Sequence, residues 1–112
     1  MAKQPAILRL TEEIERTTQR IDELQQERDA VVNASVDSNA DDEHDPEGST
    51  IAFERELVGS LLADAIGYRS ELQQAMERAR SDNYGICTAC GQQIGSERLA
   101  ARPASTRCIR CA

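Results

Sequence analysis

The segment from Tyr84 to Cys111 reads YGICTACGQQIGSERLAARPASTRCIRC, and it carries all four cysteines of the chain in two pairs of identical spacing. Cys87 and Cys90 are separated by two residues, Cys108 and Cys111 likewise, and seventeen residues lie between the pairs. That is the C-x₂-C-x₁₅₋₂₀-C-x₂-C window of a zinc site. The reason is geometric. Two cysteines three apart around a tight turn point both sulfurs at one ion, and a second such turn completes a tetrahedron with Zn–S bonds of about 2.3 Å. Small Thr88 and Ala89 fill the first turn, and Gly91 follows it where the backbone needs freedom. Two disulfides are the alternative, and they need an oxidising compartment. A redox C-x-x-C normally sits in a βαβ context, which this sequence lacks. Cys87, Cys90, Cys108 and Cys111 are therefore expected to hold one Zn²⁺, with no position open for water, as in a structural rather than catalytic site.

Outward from this segment, the chain reads as helix. Of 112 residues, 39% are apolar but only 3% aromatic, and there is no Trp, which fits a thin or elongated fold better than a thick core. Ile7, Leu10, Ile14, Thr17, Ile21, Leu24, Arg28 and Val31 recur at steps of three and four, an a/d seam broken by Thr17 and Arg28. Pro5 suits a first turn, and a helix is expected over about 5–34. Ile51, Val58, Leu61, Ala65, Tyr68, Leu72, Ala75 and Ala79 form a second stripe, widened by Leu57, Leu62, Ile66 and Met76. A second helix is expected over about 50–82, capped by Ser49 or Thr50. Gly59 and Gly67 each weaken it by about 1 kcal/mol relative to Ala and are read as permitting close helix approach. The fold class expected is mainly α. Residues 1–82 form a long antiparallel coiled-coil hairpin, and residues 83–112 form a small Cys₄ zinc module at its base. A homodimer through the same stripes is the competing arrangement.

The connection, VDSNADDEHDPEGST over 36–50, holds six carboxylates within residues 37–47, and Pro46 with Gly48 is expected to break any helix there. An acidic tip is thus expected over 35–49. A solvated turn is one reading. The other is that grouped carboxylates on a projecting arm reach a partner's basic residues or Mg²⁺, which prefers oxygen ligands. His44 reads as a solvated loop residue. The net charge of −7 repels phosphate, which disfavours general nucleic-acid binding. No apolar run approaches the ~20 residues of a membrane helix, and the N-terminus lacks an apolar core of signal-peptide type. A cytoplasmic setting is expected. Residues 84–112 set Arg98, Arg102, Arg107 and Arg110 against Glu97, a charge that a Zn²⁺-tetrathiolate of about −2 largely cancels.

Taken together these residues resemble the DksA/TraR family of bacterial transcription regulators, in a short, actinobacterial-like form. NYGICTACGQQIGSERLAARPASTRCIRC fits the family's Y-G-x-C-x-x-C-G, then I, then R-L-x-A-x-P, then C-x-x-C. The hairpin and acidic turn match in layout. The resemblance implies a non-enzymatic protein that binds RNA polymerase rather than specific DNA sequences. It inserts the hairpin into the secondary channel, brings its tip near the catalytic Mg²⁺ and alters open-complex lifetime. For the tip it implies Asp42 and Asp45 foremost, with Asp41, Glu43 and Glu47 beside them. Asp42-Glu43-His44-Asp45 supplies the family's D-x-x-D, but Glu47 stands where the best-studied tip has alanine. Longer members continue with a helix beyond the last cysteine, where this sequence has Ala112. Alarmone (ppGpp) binding in some members uses a lysine, an arginine and a second lysine. Arg102 matches the arginine and is a candidate partner or effector contact, whereas Glu71 and Ala112 replace the lysines, so ppGpp binding is not carried over. The rival readings are a zinc-finger nucleic-acid-binding protein, which would bind duplex DNA with steep salt dependence, and a zinc-stabilised coiled-coil adaptor.

Overall fold

The structure, a computed structural model, describes residues 3–38 and 46–112, with side chains over 4–34 and 50–112. Helix α1 spans Lys3–Ser38, α2 spans Pro46–Arg80 and a short α3 spans Ser96–Ala101. Both long helices outrun the expected limits at the acidic connection. Pro46 does not break α2 but opens it, because the first helical position has no intrahelical N–H bond to lose and proline's fixed φ already suits a helix. Gly48 lies inside its first turn, and neither Ser49 nor Thr50 is a cap.

α1 and α2 pair within the chain. Leu10 packs with Leu72, Ala75, Met76 and Ala79, whereas Ile21 and Leu24, further along α1, pack with Val58, Leu62 and Ala65. Rising numbers on one helix meet falling numbers on the other, which makes the pair an antiparallel hairpin. The chain divides into two compact units, Met1–Arg16 with Tyr68–Ala112, and Thr17–Gly67. In the first, Ile7, Ile14, Tyr68, Tyr84 and Ala104 pack around the buried cluster. The Tyr68 hydroxyl donates to a Glu13 carboxylate oxygen at 3.4 Å. Burial and then the Glu13 charge raise the Tyr68 pKa above its ordinary value. In the second unit the cluster consists of helix residues alone.

The seam on α1 follows the heptads: Leu10, Thr17, Ile21 and Leu24 are buried, while Arg28 is exposed. On α2 the expected register needs correction. Leu62, not Leu61, enters the core; Leu61 is 37% exposed, and Leu57 and Ile66 are more open still. The steps 58–61–65 and 58–62–65 satisfy helical periodicity equally, and only packing against Ile21 and Leu24 chooses between them. Nor do Gly59 and Gly67 permit close helix approach, since a Cβ built on either meets nothing within 4 Å.

α2 ends in a Schellman turn. The Asn83 amide donates to the Arg78 carbonyl at 2.8 Å, and the Asp82 amide to that of Ala79 at 3.4 Å. Asp82 occupies the left-handed position with φ 64°, a role that short polar side chains tolerate. Among the described residues no helix is long and apolar enough to cross a membrane.

Candidate metal centre

The chain leaves α2 through Tyr84, whose hydroxyl donates to the Pro103 carbonyl at 2.8 Å and closes the C-terminal segment into a loop. Inside that loop Ile86 and Gln93 form an antiparallel bridge. The Cys87 amide donates to the Gln92 carbonyl at 2.8 Å and the Ile94 amide to that of Gly85 at 2.8 Å. Between these rungs lies the first cysteine turn, where the Gly91 amide donates to the Cys87 carbonyl at 2.9 Å. Gly91 has φ 76°, which explains the glycine after the first pair: an L side chain there would be strained. The second turn is closed one residue tighter, with the Cys111 amide donating to the Cys108 carbonyl at 3.1 Å. Thr88 joins the two turns by donating both its amide and its hydroxyl to the Thr106 carbonyl, at 2.9 and 3.2 Å. Arg98 of α3 donates through Nε to the Arg107 carbonyl at 2.9 Å, which ties the short helix to the second pair.

These constraints bring Cys87, Cys90, Cys108 and Cys111 together, with all four Sγ atoms within 4.8 Å of one another. The Cys90 and Cys108 sulfurs are 3.8 Å apart. Four sulfurs at tetrahedral corners about 2.3 Å from one ion would be ~3.8 Å from each other, so the set fits zinc. The residues are not equally placed: Cys87 and Cys108 are buried with Ile94, Cys111 is half-buried and Cys90 is exposed.

The thiols also differ in acidity. Backbone amides, that of Cys108 foremost, lower the Cys87 thiol to about 6 against the opposing effect of burial. Burial disfavours the charged form of Cys108, yet the amides of Cys111 and Arg110 bring it below the ordinary thiol range. Cys111 is pushed up to about 12 by hydrogen bonding to the sulfurs of Cys108, Cys90 and Cys87. A bound dication removes this ranking, because zinc takes cysteine as thiolate. With four protein ligands it would be coordinatively closed and would act as a cross-link between the two turns.

Residues 82–112 match the model of the prokaryotic dksA/traR C4-type zinc finger. In this segment the chain is similar to the dksA/traR-type zinc fingers. A protein of Aquifex aeolicus with no assigned function is 34% identical over 62 residues, 55% of this chain and 43% of that protein. The RNA polymerase-binding transcription factor DksA of Haemophilus influenzae is 37% identical over 41 residues, 37% of this chain and 28% of its own length. That of Escherichia coli K12 is 34% identical over 41 residues, 37% of this chain and 27% of its own length. The matches therefore span less than half the length of these curated relatives. Nothing in them supports an actinobacterial likeness. In structure, the transcription factor DksA2 of Pseudomonas aeruginosa superposes with a TM-score of 0.60 at 21% identity, over 96% of this chain and 81% of that one. At that identity the likeness concerns the fold, a helical hairpin carrying a C-terminal cysteine cluster.

Of the expected tip residues, Asp41, Asp42, Glu43 and Asp45 lie outside the described residues, and Glu47 falls in the first turn of α2. Arg102 is exposed and borders a cleft of about 720 Å³ together with Glu71, Arg78, Arg98, Arg107 and Ala112. Glu71, Arg102 and Ala112, singled out separately in the sequence, therefore meet in one place. Sequence reasoning missed Arg78. Its Nη2 is buried and, among the described residues, has no hydrogen-bond partner. An arginine on a charged helix face reads as solvated, and only the finger folded beside it changes that.

Proposed function

We propose that the protein is a non-enzymatic transcription regulator that binds RNA polymerase and presents its acidic hairpin turn inside the secondary channel. The single observation that supports this reading is a dksA/traR zinc finger joined to a helical hairpin of the DksA2 fold. In this reading Cys87, Cys90, Cys108 and Cys111 bind one structural zinc, which fixes the finger beside the hairpin. Asp42 and Asp45 are the principal acting carboxylates, with Asp41, Glu43 and Glu47 around them. Arg102 contacts the partner. Glu71 and Ala112, where the resembled effector site has lysines, make ppGpp a poor ligand, and the net charge of −7 disfavours direct DNA binding.

Energetics separate an acting tip from a solvated one. Carboxylates desolvated and paired in a narrow channel contribute on the order of 2–5 kcal/mol each. An exposed turn contributes well under ~1 kcal/mol. The double change Asp42→Asn with Asp45→Asn keeps side-chain shape and removes two charges. Its expected outcome is intact helicity and zinc content, modestly reduced capture of core RNA polymerase, and a lost or much reduced effect on open-complex lifetime in purified transcription. Wild-type behaviour of that variant in the transcription assay would reduce the turn to a plain linker. Failure of the unaltered protein to capture core polymerase would remove the reading altogether.

A further inference from the structure

On the Thr17–Gly67 unit, the face of α2 that α1 leaves open carries an ordered apolar ridge. Phe53, Leu57 and Leu61 follow one another at steps of four and so stand in line along the helix. They are 67%, 50% and 37% exposed, and Phe53 is the only phenylalanine of the chain. Single exposed leucines are ordinary on protein surfaces, whereas an aligned ridge led by a phenylalanine is a contact surface in waiting. The charges beside it are one-sided. Residues 53–64, FERELVGSLLAD, hold exposed Glu54, Glu56 and Asp64 against Arg55 alone.

We infer that the Phe53–Leu57–Leu61 ridge docks into an apolar groove with a Lys- or Arg-bearing rim on the protein partner, which on the reading proposed above is RNA polymerase. Charge selects this occupant. Nucleic acid would bring phosphates against Glu54, Glu56 and Asp64. A second copy would bring the same three carboxylates against themselves. A second copy is also disfavoured by size, since three partly exposed side chains offer far less than the ~800 Å² per partner of a stable interface. The ridge is therefore one contact within a larger association, and it adds a side-on contact along the arm to whatever the acidic turn does.

The test uses the full chain with its zinc. Phe53→Ser with Leu57→Ser should weaken binding to core RNA polymerase roughly tenfold or more, as for truncated hot-spot anchors. Helicity, zinc content and sedimentation should stay unchanged, because both residues lie outside the seam. The conservative pair Phe53→Leu with Leu57→Met should restore binding. Ile66→Ser, also exposed but off the ridge, should bind as the unaltered chain does. Glu56→Lys with Asp64→Lys should weaken binding most at low salt. Unchanged affinity of the double serine variant overturns the inference, as does an equal loss from Ile66→Ser or tighter binding on charge reversal. A dimer that the serine variant dissociates would assign the ridge to a second copy instead. If the unaltered protein does not bind core polymerase, the polymerase reading fails and this inference falls with it. If it binds and only the ridge variants behave as wild type, the inference alone fails.

Discussion

The two hydrophobic clusters of the hairpin are built from the same kind of helix and differ in what closes them. Near the zinc finger, Leu10, Leu72 and Ala75 are fully buried, because Tyr84 and Ala104 from beyond α2 pack over the helical seam. In the Thr17–Gly67 unit, Ile21, Leu24, Val58, Leu62 and Ala65 pack on one another, with no further apolar residue on the cluster among the described residues, and each retains some exposure. Two helices shield one stripe apiece, and a third body is needed to seal the sides. The comparison teaches that a helical seam is sealed where residues from outside the two helices reach it, as Tyr84 and Ala104 do in the first unit.

Removing the zinc should break the comparison most severely. Chelation, or Cys108→Ser, is expected to unfold residues 82–112, since binding and folding are one process in small zinc units and involve roughly 10 kcal/mol or more. Most helical circular dichroism should remain. Hydrogen exchange should accelerate at the amides around Leu10 and Leu72 and change little around Leu24 and Leu62. Equal acceleration in both places would show that the clusters are not separately supported. Protons compete with zinc for the thiolates, so acidification should mimic chelation.

Next in size are charges placed in each core. Leu72→Asp and Leu62→Asp each bury a carboxylate and should cost several kcal/mol against a total of perhaps 5–15. Leu61→Asp, one residue away but half in solvent, should change stability by less than about 0.5 kcal/mol. Urea midpoints of the three variants decide the register. If Leu61→Asp proves as damaging as Leu62→Asp, α2 is rotated from the orientation described.

Much of this was legible in the sequence, and the exceptions have physical causes. The cysteine spacing depends on turn geometry within a few residues, so it pointed to the four thiols that the structure brings together. Heptads depend on a period, so they placed Leu10, Ile21 and Leu24 in the seam. Leu61 and Leu62 could not be separated, because both satisfy the period and the choice belongs to the partner helix. Pro46 reads as a breaker in the sequence because its effect depends on whether it stands inside a helix or at its first residue. Arg78 was invisible, since the cleft it lines is completed by residues twenty or more positions later.

Smaller effects refine the picture. Gly59→Ala and Gly67→Ala should each stabilise α2 by up to about 1 kcal/mol, because the added methyl meets nothing and helix propensity improves. Gly91→Ala should act in the opposite direction, given its φ of 76°. A melting temperature that falls for Gly67→Ala would mean the glycine serves a bent or closely packed state. The smallest effect is expected of Tyr68→Phe. The raised pKa of Tyr68 means that its contribution is complete below pH ~10 and fades as pH climbs through the higher folded-state value. The variant should therefore lose less stability between pH 9 and 11 than the unaltered protein, as read by thermal melts across that range.

The hydrogen bond from Tyr84 to Pro103 has a consequence at the level of mass action. Tyr84 belongs at once to the loop that shapes the cysteine site and to the residues packed on Leu10 and Leu72. Any ligand that binds the folded finger therefore also stabilises the core beneath it, by RT ln(1 + [L]/Kd). Below saturation the gain vanishes, and above it each tenfold rise in free zinc adds about 1.4 kcal/mol to the cohesion of the arm's root. The melting point of this stretch of helix is thus expected to be a logarithmic gauge of zinc activity, read through four thiols that all lie outside the helices.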